Sequence, residues 1–147
     1  MIDLCFPNYE FRIKNRHNKK YIFDLIRKKF ILLTHEEWVR QNCIMFLINE
    51  QKIPKVLINV EKKIKVNNLT KRYDIIVYKP NGSVFLLVEC KSPKVNINQE
   101  TFNQISIYNS EIIAQYLMLT NGLFNHYCSI DYSNQCYKFV KDFPKYT

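Results

Sequence analysis

The chain has 147 residues, 47% of them hydrophobic and 14% aromatic, which suits one globular domain with a core and excludes a disordered polymer or two full domains. No apolar run approaches the ~20 residues needed to cross a bilayer. Twenty-two Lys and Arg against 13 Asp and Glu give a formal charge of +9, which favours an acidic partner such as nucleic acid but does not separate DNA from RNA.

A lysine-rich compositional bias explains the same charge. Asp3 and Pro7 interrupt any leader-like stretch, so a cytoplasmic protein without membrane contact is expected. Five scattered cysteines (Cys5, Cys43, Cys90, Cys128, Cys136) form no C-x-x-C pair and are expected as free thiols.

Residues 1–33 read as an N-terminal extension. Tyr9 to Lys14 alternates apolar and charged side chains, as a half-exposed strand does. Asn15 to Lys20 is a polar turn, and Tyr21-Ile22-Phe23 returns as the second strand of a hairpin. Arg27-Lys28-Lys29 is a basic run, readable as a solvated face or as a phosphate contact.

Thr34 opens a helix. Thr34-x-x-Glu37 is a capping box, in which the hydroxyl accepts an orphan N–H and the Glu reaches back. Val39, Cys43, Phe46 and Leu47 follow helical spacing, and the helix is expected to end between Asn49 and Lys52, before Ile53-Pro54. Arg40 and Gln41 lie one turn beyond Glu37, facing phosphate or solvent.

Leu57 to Val66 alternates as the first strand of a main sheet, with a slip near Lys62-Lys63. Asn67-Asn68 turns the chain into Lys71-Arg72 and a strand Tyr73 to Tyr78. A turn at Pro80-Asn81-Gly82 leads to the strand Val84 to Lys91. In an antiparallel pair the start of one strand lies beside the end of the other, so Asp74 and Glu89 are expected as neighbours. Glu89 and Lys91 are two apart and share a face. Two carboxylates on a sheet built for burial repel each other, and a divalent cation removes the conflict. Oxygen donors with room for water suit Mg²⁺ or Mn²⁺. With an ammonium beside them they supply the parts for metal-dependent phosphodiester hydrolysis. A hairpin with solvated charged ends is the competing reading. Lys71 and Arg72 are either phosphate contacts or a plain charged strand end.

Ser92-Pro93 ends that strand, and Asn98 is a plausible N-cap for a second helix. Phe102, Ile105, Tyr108, Asn109 and Ile112 form one helical stripe, and Gln104 and Tyr108 share a face. Tyr116 to Thr120 reads as a buried strand. His126–Ile130 and Cys136–Val140 form a last hairpin. The expected fold class is α/β (α+β), a mixed sheet flanked by helices. The order is αβββαβ, plus a C-terminal hairpin and the N-terminal hairpin.

Asp74 followed by Glu89-Cys90-Lys91 resembles the Asp…(Asp/Glu)-X-Lys signature of the PD-(D/E)XK nuclease superfamily, with Tyr73 standing where that signature has Pro. More narrowly, four segments resemble the N-terminal nuclease domain of type I restriction enzyme R subunits. They are Glu37-Trp38-Val39-Arg40-Gln41, Arg72-Tyr73-Asp74, Val88-Glu89-Cys90-Lys91 and Gln104-Ile105-Ser106-Ile107-Tyr108. The likeness covers roughly Thr34 to Ile130.

The resemblance implies a restriction-endonuclease-like core over residues 34–131, followed by a C-terminal strand and tail at 132–147. It implies a Mg²⁺- or Mn²⁺-dependent endonuclease acting on DNA. Asp74, Glu89 and the Cys90 carbonyl would hold the metal, and Lys91 would position or activate the water. Gln104 would assist, with Glu37 and Tyr108 as accessories and Arg40, Lys71 and Arg72 on the nucleic acid. Other restriction–modification subunits, or a second copy, are implied as further partners. A binding module of the same fold that does not cut is the alternative. The chain contains no Walker motif, so any ATP dependence is expected from elsewhere.

Overall fold

The computed structural model describes residues 1–146. Thr147, and the Val66 side chain expected to alternate inward, lie outside the described residues. Among the described residues the α-helices are α1 (His35–Asn49) and α2 (Gln99–Ile112), with a short 3-10 turn at Lys55–Leu57. The first three strands are β1 (Ile13–Arg16), β2 (Lys19–Asp24) and β3 (Lys29–Leu32). They form an antiparallel sheet in that order. A second, six-stranded sheet follows chain order from β4 (Ile58–Val66) through β5 (Leu69–Tyr78), β6 (Val84–Cys90), β7 (Tyr116–Thr120) and β8 (Asn125–Asp131) to β9 (Cys136–Val140). Among the described strands only β6 and β7 are parallel, because α2 carries the chain across between them. The mixed α/β architecture and the order αβββαβ plus a terminal hairpin agree with the sequence reading.

Two expectations are corrected at the N-terminus. The extension is three-stranded, since Lys29 to Leu32 pairs with β2. Its first strand also begins later than Tyr9. Tyr9 and Phe11 pack along α1 instead: the Tyr9 hydroxyl donates to Glu50, and the Phe11 ring meets Trp38 edge-on at 5.2 Å. The turn after β1 places His17 and Asn18 both at positive φ (52° and 64°), as a two-residue hairpin turn requires. Asn67 and Asn68 do the same between β4 and β5 (49° and 65°).

α1 starts as a cap predicts: the Glu37 N–H donates to Thr34 Oγ1 at 3.0 Å. The Glu37 side chain does not reach back, however; it turns to Arg27 and Gln41. Val39, Cys43 and Leu47 are wholly buried against Ile75, Val77, Leu86 and Val88. Across the sheet, Phe102 and Ile105 of α2 pack on Tyr73, Ile76, Leu87 and Leu117. The sheet is therefore covered on both faces, and its central strands read as nearly continuous apolar runs for that reason. Strand β4 keeps one backbone register with β5, yet Val60 packs on the α1 side of the sheet and Ile64 on the α2 side, so the expected slip in side-chain alternation near Lys62 is present. The irregularity is at Glu61, which sits at φ 54° and leaves the ladder unpaired there.

Candidate active site

The β5–β6 ladder runs to Ile75↔Val88 and stops. Beyond it, the Cys90 N–H donates to a side chain, Asp74 Oδ2, at 2.7 Å. On the other side of β6, the Lys91 N–H donates to the Thr120 carbonyl of β7. Side-chain alternation breaks at the same point. Tyr73 packs with the α2-side cluster and Ile75, two residues on, with the α1-side cluster. Asp74 thus lies at a fork where two strands part.

Glu89 and Lys91 share a face as expected, with Lys91 Nζ 3.6 Å from Glu89 Oε1. Lys71 Nζ approaches the same oxygen at 3.9 Å. These three line a cleft with Tyr73, Gln104 and Tyr108. Helix α2 supplies the roof: Gln104 is exposed there, and the Tyr108 carbonyl accepts from the Tyr73 hydroxyl at 2.9 Å. Lys71 Nζ also stands 5.1 Å from the centre of the Tyr108 ring. The motif residues Glu89, Lys91, Gln104 and Tyr108 are brought together.

Asp74 is 8% exposed and does not line that cleft. Its Oδ1 accepts from Arg40 Nη2 at 3.0 Å. Arg40, expected to face phosphate or solvent, is 5% exposed. Its guanidinium lies among the carboxylates of Glu36, Glu37, Glu61 and Asp74. Arg72 is exposed on β5, and Lys71 is half-buried. Glu37, expected as a cap or a metal-side acid, lies in the interior network. Its Oε2 accepts from Arg27 and from Gln41, both at 3.0 Å.

Burial and then the charge of Glu89 push the Asp74 carboxyl up to about 7, against the opposing pull of Arg40 and the Cys90 N–H. Burial likewise raises Glu89, while Lys71 and Lys91 pull the other way. Glu36 raises both. Both helix acids also meet Arg40, the partner of Asp74, Glu36 at 3.8 Å and Glu37 at 3.6 Å. Arg40 itself is held more firmly charged: burial opposes the charge, and Asp74 and Glu37 outweigh it.

Asp74, inside β5, and Glu89, near the end of β6, both resist ionisation chiefly because they are buried, even with Arg40, Lys71 and Lys91 beside them. Among the described residues no three His, Cys, Asp or Glu side chains converge on one point. A cation here would take the two carboxylates, a backbone carbonyl and water. That donor set fits a hard, partly hydrated ion such as Mg²⁺ or Mn²⁺.

The sequence pattern of the family described as type I restriction enzyme R protein N terminus matches residues 35–144. No curated protein matches the chain. Among the described residues, no helix is long and apolar enough to cross a membrane.

Proposed function

Because the chain belongs to the family of type I restriction enzyme R protein N termini, we propose that it is a cytoplasmic, metal-dependent endonuclease domain of the PD-(D/E)XK type acting on DNA. The observation that carries this reading is Glu89 beside Lys91 in the cleft, with the buried Asp74 carboxyl near enough to feel the Glu89 charge. The cation would be Mg²⁺ or Mn²⁺, held by Asp74, Glu89 and the carbonyl of Cys90. When bound it would polarise the scissile phosphate and lower the pKa of a water. Lys91, held against Glu89, orients the attacking water and offsets charge at phosphorus. Gln104 contributes an amide to the same space from the α2 side. Lys71, with its ammonium at the cleft, meets a phosphate oxygen, and Arg72 extends that contact along the backbone. Other restriction–modification subunits, or a second copy of the chain, are the partners consistent with the family.

One observation favours a second reading, a binding module of the same fold that does not cut. Both Asp74 oxygens are engaged, one by Arg40 and one by the Cys90 N–H. Nicking of supercoiled plasmid decides between the two. Under the nuclease reading, Mg²⁺ or Mn²⁺ supports nicking and excess EDTA abolishes it. Asp74→Ala, Glu89→Gln and Lys91→Ala each lower the rate by about 100-fold or more. Salt-sensitive DNA binding with no nicking in either metal establishes the module instead.

A further inference from the structure

The outward face of the β1–β3 sheet has no part in the site above, and it lies outside the residues that match the family. Cross-strand partners share a face, so the register places Lys14 and Arg16 of β1 beside Tyr21 and Lys19 of β2. Phe23 of β2 stands opposite Phe30 of β3 on that same face. The opposite face carries Ile22 and Asp24, both wholly buried. From Arg12 to Leu32 there are eight Lys or Arg and a single acid, Asp24, which is interior. The face is thus a row of cations along β1 next to a row of aromatic rings along β2 and β3.

The cations lie over the rings. Arg12 is 4.6 Å from the centre of Phe23, and Lys14 Nζ is 4.1 Å from the centre of Phe30. Such contacts cover half-buried aromatic surface while no ligand is present. They are weak at an exposed site, and a phosphate competes for the same charges. Around them is an open depression of about 590 Å³.

We propose that this face binds a single strand of DNA, with phosphates along Arg12, Lys14 and Arg16 and bases stacked on Tyr21, Phe23 and Phe30. A single strand offers its bases and its phosphates on two different sides, as this face requires. A duplex keeps its bases stacked inside and shows only phosphates to such a surface. The proposal rests on the DNA-directed reading of the chain and deepens it, adding a site that positions a strand and does no chemistry.

The test is fluorescence anisotropy with a labelled 16-residue oligothymidylate, in EDTA, over a salt series. EDTA makes the readout independent of cutting, so a failure of this proposal and a failure of the nuclease reading are separable. The full chain binds the oligonucleotide more tightly than a 16-base-pair duplex. Lys14→Glu with Arg16→Glu reduces the slope of log affinity against log salt by about one to one and a half. Tyr21→Ala weakens binding about tenfold at fixed salt. Lys138→Glu with Lys141→Glu, the same charge change on exposed residues at the far edge of the main sheet, leaves affinity within twofold. Circular-dichroism melting checks that each variant is folded. Equal or tighter binding to the duplex overturns the proposal. So does a slope unchanged by the Lys14 and Arg16 substitutions, or an equal loss in the Lys138 and Lys141 control.

Discussion

Asp24 has no exposed surface, and four donors meet its carboxylate. Its Oδ1 accepts the N–H groups of Ile26 and Arg27 at 2.7 and 2.8 Å. Its Oδ2 accepts from Arg27 Nε at 2.7 Å and Gln41 Nε2 at 2.8 Å. Burial alone would raise its pKa; these bonds outweigh burial and set it below the ordinary carboxylate value of 3.8. A folded-state pKa below the unfolded one means that the unfolded chain binds more protons at acid pH. Stability from this group is therefore complete above the unfolded pKa and is lost as pH falls through the folded one. Asp24→Asn keeps the shape but removes the charge beside Arg27. It should cost about 3 kcal/mol at pH 7, and that difference should shrink below about pH 4. Urea unfolding of both proteins at pH 7 and pH 3 measures it, and a difference that stays constant would contradict the assignment.

Helix α1 shows how far an element can be read from pattern, and where reading stops. Thr34→Ala should remove one cap bond and cost about 1 kcal/mol, lowering the melting temperature by about 3 °C, while Thr34→Ser should restore it. Nicking rate at a temperature well below melting should not change, since packing rather than the cap orients this helix. The cap, the Val39–Cys43–Leu47 stripe and the helix end were legible because each follows from local geometry. The interior side of Arg40, Gln41 and Asn42 was not, because burying polar residues on a helix depends on partners distant in sequence. Arg40 meets Asp74, 34 residues on, and Gln41 meets Asp24, 17 residues back. The β5–β6 pairing was likewise legible from two apolar runs and an Asn-Gly turn. The fork that turns Asp74 to Arg40 and to the Cys90 N–H was not. No residue type announces that a carboxylate will take the hydrogen bond of a missing ladder rung. The β1–β3 face was half legible: of the basic run Arg27-Lys28-Lys29, Arg27 turns to Asp24 and Glu37, whereas Lys28 and Lys29 are exposed and line the same depression as Lys14 and Arg16.

At the scale of the molecule, an unbroken chain of charged contacts joins the N-terminal sheet to the candidate site. Arg27 lies 2.7 Å from Asp24 and 3.0 Å from Glu37; Glu37 lies 3.6 Å from Arg40; Arg40 lies 3.0 Å from Asp74. Apolar packing and hydrogen bonds run in parallel. Phe6 belongs to the α1-side core, the Trp38 indole N–H donates to the Ile2 carbonyl, and the Cys5 N–H donates to the Gly122 carbonyl after β7. The family match begins at residue 35, which suggests a detachable extension, yet the contacts argue against detachment. Cutting the chain before Thr34 would leave Glu37 and Gln41 without Arg27 and Asp24. It would also strip apolar cover from α1. Glu37 would keep Arg40 at 3.6 Å, but each Å² of apolar surface bared on α1 costs about 25 cal/mol, against the roughly 5 to 15 kcal/mol that holds a domain folded. A protein of residues 34–147 should therefore show no cooperative thermal transition by circular dichroism. It should also lose the amide-exchange protection of β5 and β6, whereas the full chain keeps both. If the shortened protein melted cooperatively near the full-length midpoint, the N-terminal sheet would be an appendage. The contacts between Arg27 and Glu37 would then contribute nothing to holding Arg40 against Asp74.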